Sequence, residues 1–328
     1  MTVTRNILLI SAFFALLSCG DGGNTSSKDE KLALATSPIA DADSLYQFVA
    51  KQVAFGPRVP NTQAHKEAAK WFVQKFESYG ATVQVQEFET IVYDGTSVDL
   101  KNIIASFNTD VKKRILLAAH WDTRPFADQD ADDKFAPIDG ANDGGSGVAV
   151  LLEIARQISF KNPTVGVDMI LFDGEDWGEH AEKGQQQLPN GLDSWWALGS
   201  QHWSKNKHKP NYTAFYGILL DMVGAPNARF HYDNVSQENA GRILEKVWSI
   251  AHAKGYQKYF KKQSGFQGIT DDHVFVNKYA LIPMIDIIDY QNGTFMPAWH
   301  TQADNLENIS RETLKVVANT VLAVIYNE

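Results

Sequence analysis

The residues of this chain that could do chemistry are carboxylates and imidazoles, and they fall at the ends of short apolar runs. His120-Trp121-Asp122 follows Ile115 to Ala119, Asp173-Gly174-Glu175-Asp176 follows Met169 to Phe172, and Asp221 closes Ile218 to Leu220. Asp143 stands in Gly140-Ala141-Asn142-Asp143-Gly144-Gly145, where a helical pattern begins. Asp271-Asp272-His273 and Trp299-His300-Thr301 come later, the second beyond the last apolar run. Ligands of open α/β sheets bind beyond the carboxyl ends of the strands, so these side chains are candidates to meet in one crevice. The lone cysteine, Cys19, rules out both an internal disulfide framework and a thiolate metal site. Oxygen and nitrogen donors remain, a set that suits Zn²⁺.

Each residue also has a plainer role available. Asp143 is placed to cap a helix, Asp221 to form a turn, His120 and His300 to make structural hydrogen bonds, and Glu175-Asp176 to sit in a solvated loop. Only their joint placement favours a metal site. Competing motifs are absent. The glycines around Asp143 do not spell a dinucleotide-binding or phosphate-binding loop. Gly144-Gly145-Ser146-Gly147-Val148 is not the elbow of a serine hydrolase, and no His-Glu-x-x-His occurs.

The apolar runs that carry these residues are short and do not alternate, as expected of strands buried on both faces; Leu281 to Ile288 is the fourth. Thr82 to Phe107 reads as one or two strands entering the same sheet. Between the runs lie helical patterns. Ala69, Phe72, Phe76 and Tyr79 share one face of a helix that Gly80 can stop; Val148, Leu151, Leu152, Ala155 and Ile158 line another. Ser310 can cap a last helix with Leu314, Val317, Ala318 and Val321 on its core face. Strands alternating with helices predict an α/β fold in three layers, a single domain.

Composition agrees with a globular chain: 328 residues, 44% hydrophobic and 21% charged, with 30 basic against 39 acidic residues for a net charge of −9. That acidic balance argues against nucleic acid as a partner. At the front, Arg5 precedes the apolar run Ile7 to Leu17, too short to span a bilayer as a helix and suited to a secretory signal. Leu16-Leu17-Ser18-Cys19 resembles a bacterial lipoprotein cleavage box, which implies lipid attachment at Cys19. The expectation is a signal peptide over 1–18, a lipidated flexible tether over 19–38 and a catalytic domain over 39–328, anchored on the periplasmic side of a bacterial membrane.

The blocks Ala119-His120-Trp121-Asp122, Gly140-Ala141-Asn142-Asp143, Phe172-Asp173-Gly174-Glu175-Asp176, Leu220-Asp221 and Trp299-His300-Thr301 together resemble the zinc exopeptidase superfamily of aminopeptidases. Phe55-Gly56-Pro57-Arg58-Val59-Pro60, Leu220 to Ala225, Asp271-Asp272-His273 and Trp299-His300-Thr301 followed by Asp304-Asn305 are similar to the animal-type glutaminyl cyclases within it. The resemblance covers about residues 45 to 326. It implies an α/β/α sandwich around a mixed, mostly parallel sheet, and cyclisation of N-terminal glutamine to pyroglutamate on peptides and proteins. It implies that Asp143, Asp176 and His300 hold one zinc and that Glu175 shuttles the proton. It further implies that Asp221 and Asp271 form a hydrogen-bonded acidic network and that Trp299 walls the pocket. Two features depart from the animal pattern. Asp176 stands where those enzymes carry Glu, and the segment Trp177 to Ser194 does not match, which leaves Trp177, Trp195 and Trp196 all candidates for a second pocket tryptophan. The alternative within the superfamily is a two-zinc aminopeptidase, in which His120 and Asp221 bind a second zinc bridged by Asp143.

Overall fold

Four of the apolar runs form the parallel heart of a sheet: β3 (Arg114–His120), β4 (Gly166–Phe172), β5 (Gly217–Asp221) and β8 (Met284–Ile288). The computed structural model describes residues 33–183, 186–266 and 268–328; the apolar run Ile7 to Leu17, Cys19 and the tether as far as residue 32 lie outside them. Thr82 to Phe107 makes two strands, β1 (Thr82–Ile91) and β2 (Ser97–Phe107), paired antiparallel. The six-stranded sheet has the order β1-β2-β4-β3-β5-β8, antiparallel as far as β4 and parallel from β4 to β8. It is the mixed, mostly parallel sheet that the resemblance implies. The last run is shorter than its apolar stretch. Leu281 sits in the left-handed region just ahead of Pro283 and is 78% exposed, so the strand begins only at Met284.

Alternation along the strands divides the core in two. Ile115, Leu117 and Ala119 of β3, Leu171 of β4 and Leu220 of β5 face a thick helical layer. That layer contains α1 (Ala42–Val53), α2 (Gln63–Ser78), α3 (Gly145–Phe160), α5 (Asn234–Ala253) and α7 (Arg311–Ile325). Leu116, Ala118, Ile170, Phe172 and Leu219 face a thinner cover that includes Trp203 of α4 (Leu198–Lys205) and the turn Val276–Ala280. Burying each such aliphatic side chain contributes about 1.5–3 kcal/mol, and both faces of the sheet are lined with them. The caps follow the sequence: Ser310 accepts from Thr313 N at the start of α7, and α2 ends just before Gly80.

A small parallel pair, β6 (Phe230–Asp233) and β7 (Phe260–Phe266), forms a second sheet joined by a bridge from Phe230 to Asp289 just beyond β8, and the short helix α6 (Asp272–Phe275) carries the Asp-Asp-His run. Residues 34–36, near the end of the expected tether, lie against the body. Leu34 packs on the main core, Ala35 N donates to Asn327 Oδ1 at 2.7 Å and Lys161 Nζ donates to Thr36 O at 3.1 Å. An apolar side chain with core to cover does not stay in solvent.

The chain runs β3, α3, β4 to one side of β3, then crosses to β5 on the other. That reversal is a topological switch point, and the crevice it opens lies at the carboxyl ends of β3, β4 and β5.

Candidate metal centre

The period of two that sorts the core also aims the strand-end residues. His120 is in phase with Leu116 and Ala118, and Asp221 with Leu219, so both point to the thinly covered side, and His120 Nε2 lies 3.2 Å from Asp221 Oδ1. Two buried aspartates then tie the loops. Asp122 accepts from Glu175 N and Asp176 N, each at 3.1 Å, so the loop after β3 holds the loop after β4. Asp304 accepts from Asn142 N at 2.8 Å and Asp143 N at 3.0 Å, fixing the entry to α3. Asp143 is therefore not a helix cap: Gly144 occupies that position, with no side-chain cap bond.

Asp143, Asp176 and His300 come together, each able to offer one ligand atom within 4.8 Å of the others. His300 Nε2 lies 3.1 Å from Asp176 Oδ1 and 3.7 Å from Asp143 Oδ2. Asp143 Oδ2 and Asp176 Oδ2 are buried with no hydrogen-bond partner, a costly arrangement that a cation would relieve. On the far side of the ring, His300 Nδ1 faces Asp128 Oδ1 at 3.3 Å, the carboxylate–histidine arrangement that orients metal-ligating imidazoles. One nitrogen and two carboxylates on buried residues fit zinc. His300 also sits at φ +55°, and Met222, next to Asp221, at φ +46°. Left-handed backbone at a non-glycine residue costs about 1 kcal/mol or more, and here it aims side chains into the crevice.

A second trio shares Asp143. His120 Nε2 lies 3.0 Å from Asp143 Oδ1 as well as beside Asp221, and these three could also hold an ion. A third, Asp271, His273 and Asp286, lies behind. Here the structure adds a residue to the expected acidic network. Asp286, which sequence reasoning did not single out, lies beside Asp271 with both carboxylate oxygens buried and without a hydrogen-bond partner, and burial and the Asp271 charge push it well above the usual carboxylate range; Asp271 reaches Asp221 through charge. Asp286 shows in the sequence only as one polar residue inside an apolar strand.

Electrostatics follow from burial. Burial, then the nearby charges of Asp176, Asp271 and Asp272, push Glu175 well above the usual carboxylate range despite His120. Burial pushes Asp221 up to about 7, with Asp143 and Asp271 adding to the rise and His120 opposing it. At Asp143, burial pushes upward, but the hydrogen bond and charge of His120 outweigh it and hold this carboxyl below its ordinary value. Burial alone would lower His120; the carboxylates of Asp122, Asp143 and Asp221 around its ring raise it well above an ordinary histidine.

Asp143 and His300 line a pocket of about 280 Å³. Glu175, Asp176, Asp221 and Asp271 face into it together with Trp196, Phe295 and Trp299. Trp299 stacks on the His300 ring at 3.7 Å between centroids, and Trp196 lies parallel to the same ring at 5.9 Å. Of the candidate tryptophans, Trp196 is thus the one at the pocket. Trp195 is buried and donates to Gln186 O, while Trp177 packs beside Val92, Val98 and Leu100. Gly178 makes room for Trp196, since a Cβ there would fall 1.9 Å from its indole. The sequence reading missed Phe295, for which no spacing or motif gave a signal, and assigned no role to Asp122, Asp128 or Asp304.

The model of peptidase family M28 matches residues 102–325, which span β2 to α7 and every residue of the metal trio. The chain belongs to peptidase family M28. Among solved M28-like structures, a Zn-dependent exopeptidase from Parabacteroides distasonis is 51% identical, with a TM-score of 0.86, covering 89% of this chain and 100% of its own. A glutaminyl cyclase from Bacteroides thetaiotaomicron, solved bound to N-acetylhistamine, is 48% identical with a TM-score of 0.86 and the same coverage of both chains. A glutaminyl-peptide cyclotransferase of Dictyostelium discoideum is 25% identical over 96% of each chain. Membership of the zinc exopeptidase superfamily, and likeness to glutaminyl cyclases within it, hold as the motifs implied.

Proposed function

We propose that this chain is a glutaminyl-peptide cyclotransferase, converting the N-terminal glutamine of peptides and proteins to pyroglutamate with release of ammonia. One observation carries the reading. Glu175 lies in an aromatic-walled pocket beside the Asp143, Asp176 and His300 trio, with Asp221 and Asp271 on its other flank. The likeness to glutaminyl cyclases supports it.

In the reaction the substrate's α-nitrogen bonds to its own γ-carboxamide carbon, and the carbon–nitrogen bond to the amide nitrogen breaks. Holding the glutamine side chain folded back on itself supplies much of the rate, because the attack is intramolecular. Trp196, Trp299 and Phe295 exclude water and shape that fold. Glu175 takes the proton from the attacking amine and returns it to the departing nitrogen, so ammonia leaves with the proton count balanced. A carboxyl pushed upward by burial suits a group that must both accept and return a proton near neutral pH. Asp221, pushed up to about 7 by burial with the Asp143 and Asp271 charges adding, keeps a proton near neutral pH and so presents a hydrogen-bond donor as well as an acceptor to the amine and amide. Asp143, Asp176 and His300 would hold zinc, which supplies a Lewis acid for the γ-carbonyl.

The second reading is a two-zinc aminopeptidase, favoured by the tight His120, Asp143 and Asp221 trio. Mass spectrometry on paired peptides beginning with Gln and with Leu separates the two. The Gln peptide should become lighter by one ammonia with every peptide bond intact, and the Leu peptide should be unchanged. Release of free Gln or Leu would make water the nucleophile and overturn the cyclase reading.

We also propose export and lipid attachment at Cys19, supported by Arg5, the apolar run and Leu16-Leu17-Ser18-Cys19. Radiolabelled palmitate should enter the wild-type chain in bacterial cells and not Cys19→Ser; equal labelling of both would refute the anchor.

A further inference from the structure

One buried cation, Arg124, touches both halves of the site. It follows His120 by four residues on the loop beyond β3 and is fully buried. Its Nε and Nη2 donate to the two oxygens of Asp128 at 2.8 and 2.7 Å, a bidentate fork. Nη1 donates to the backbone oxygen of Asp176 at 3.0 Å and lies 3.7 Å from that residue's carboxylate. Nη2 also donates to Glu179 O at 3.0 Å, and Asp128 Oδ2 accepts from Ala181 N at 3.0 Å, so the pair ties down the loop after β4. The guanidinium carbon lies over the Trp196 ring, 4.6 Å from its centroid, and over the Phe126 ring at 4.4 Å.

We infer that Arg124 is the positioning residue that sets both the zinc affinity of the Asp143, Asp176 and His300 trio and the place of the Trp196 wall. The inference rests on the metal centre proposed above. Through Asp128 the guanidinium holds His300 Nδ1, so that Nε2 faces the carboxylates; through Asp176 O it holds a ligand backbone directly. Asp176 has a shorter arm than a glutamate and cannot swing far to make up for a displaced backbone, so this anchoring matters more. The same planar group backs Trp196, which a lysine ammonium cannot do, because it lacks both the fork and the stacking face.

The test compares wild type with Arg124→Lys and Arg124→Met by chelator-competition zinc affinity, the visible spectrum of the cobalt-loaded protein, and kinetics on a Gln peptide at saturating zinc. Arg124→Lys keeps the charge and guards against the case in which Arg124→Met does not fold; far-UV circular dichroism reports on that. Loss of an outer partner of a metal ligand weakens metal binding by about 10- to 100-fold, so Arg124→Lys should bind zinc at least about 10-fold more weakly. Its cobalt bands should shift, and KM should rise more than kcat falls once zinc is saturating. Zinc affinity and cobalt spectrum equal to wild type in a folded variant would overturn the inference alone. A wild-type chain that takes up no zinc would overturn the metal centre itself, and this inference with it.

Discussion

Glu175 and Asp176 are neighbours with different tasks, and the reason lies in one carboxylate. Asp122 accepts both of their backbone N–H groups, so the peptide between them is held and each side chain takes its own direction. Asp176 turns to His300, while Glu175 stays in the pocket, crowded by Asp176, Asp271 and Asp272. Glu175→Gln keeps the volume and removes the capacity to carry a proton. Turnover on a Gln peptide should therefore fall by roughly 10²-fold or more, with zinc content by elemental analysis unchanged. Near-normal turnover would take the shuttle role away from Glu175; lost zinc would show that it is a ligand.

At the scale of elements, the glycine-rich start of α3 has a purpose that no phosphate motif explains. A Cβ on Gly147 would lie 2.2 Å from Leu220 O and 2.9 Å from Ala119 Cβ, so the helix can sit this close to β3 and β5 only with a hydrogen there. The contact sets the distance between Asp143, carried just before α3, and Asp221, at the end of β5. Asn142 Oδ1 accepts from Gly224 N at 2.7 Å and Ser146 Oγ from Val223 N at 2.9 Å, which fixes the same junction. Gly147→Ala must push the helix off the sheet, an overpacking that costs about 1–3 kcal/mol. Urea unfolding should show that loss, and zinc titration a weaker site as Asp143 moves. A variant with wild-type stability would mean that the helix has room to spare.

Across the whole molecule, the metal ligands come from segments that only the fold brings together: the loop into α3, the loop after β4 and the loop beyond β8. An ion joining Asp143, Asp176 and His300 would cross-link three loops at the carboxyl end of the sheet without touching the two cores beneath. Zinc at about 100 times its Kd should then stabilise the native state by about 2.7 kcal/mol. Chelation should lower Tm, and hydrogen exchange should speed up around 140–145 and 296–304 while β3 and β4 remain protected. A Tm indifferent to zinc in protein shown to bind it would mean that the ion also binds the unfolded chain.

Local pattern was enough for the six strands of the main sheet, several helices and the family, but not for β6 and β7. Runs of apolar residues have no stable place except inside a sheet covered on both faces, and the types and order of His120, Asp143, Glu175, Asp176, Asp221 and His300 are legible as residues at strand and loop ends. Leu281 shows the limit at this level, since its side chain is apolar yet the backbone before Pro283 leaves it in solvent. What surrounds the metal trio was not legible. Asp128 acts on His300, Arg124 on the Asp176 backbone and Asp304 on the Asn142 and Asp143 amides, partners 52 or more residues away, and the four-residue spacing of Arg124 and Asp128 says nothing of what their fork holds. Asp286 looks like a flaw in a strand until Asp271 is placed beside it. Trp196 and its neighbours differ little in sequence, and only the space left by Gly178 and the face of Arg124 decide which indole reaches the pocket. Residue type and spacing state which groups are able to do the chemistry; which of them meet depends on distances between segments far apart in the chain, and packing sets those.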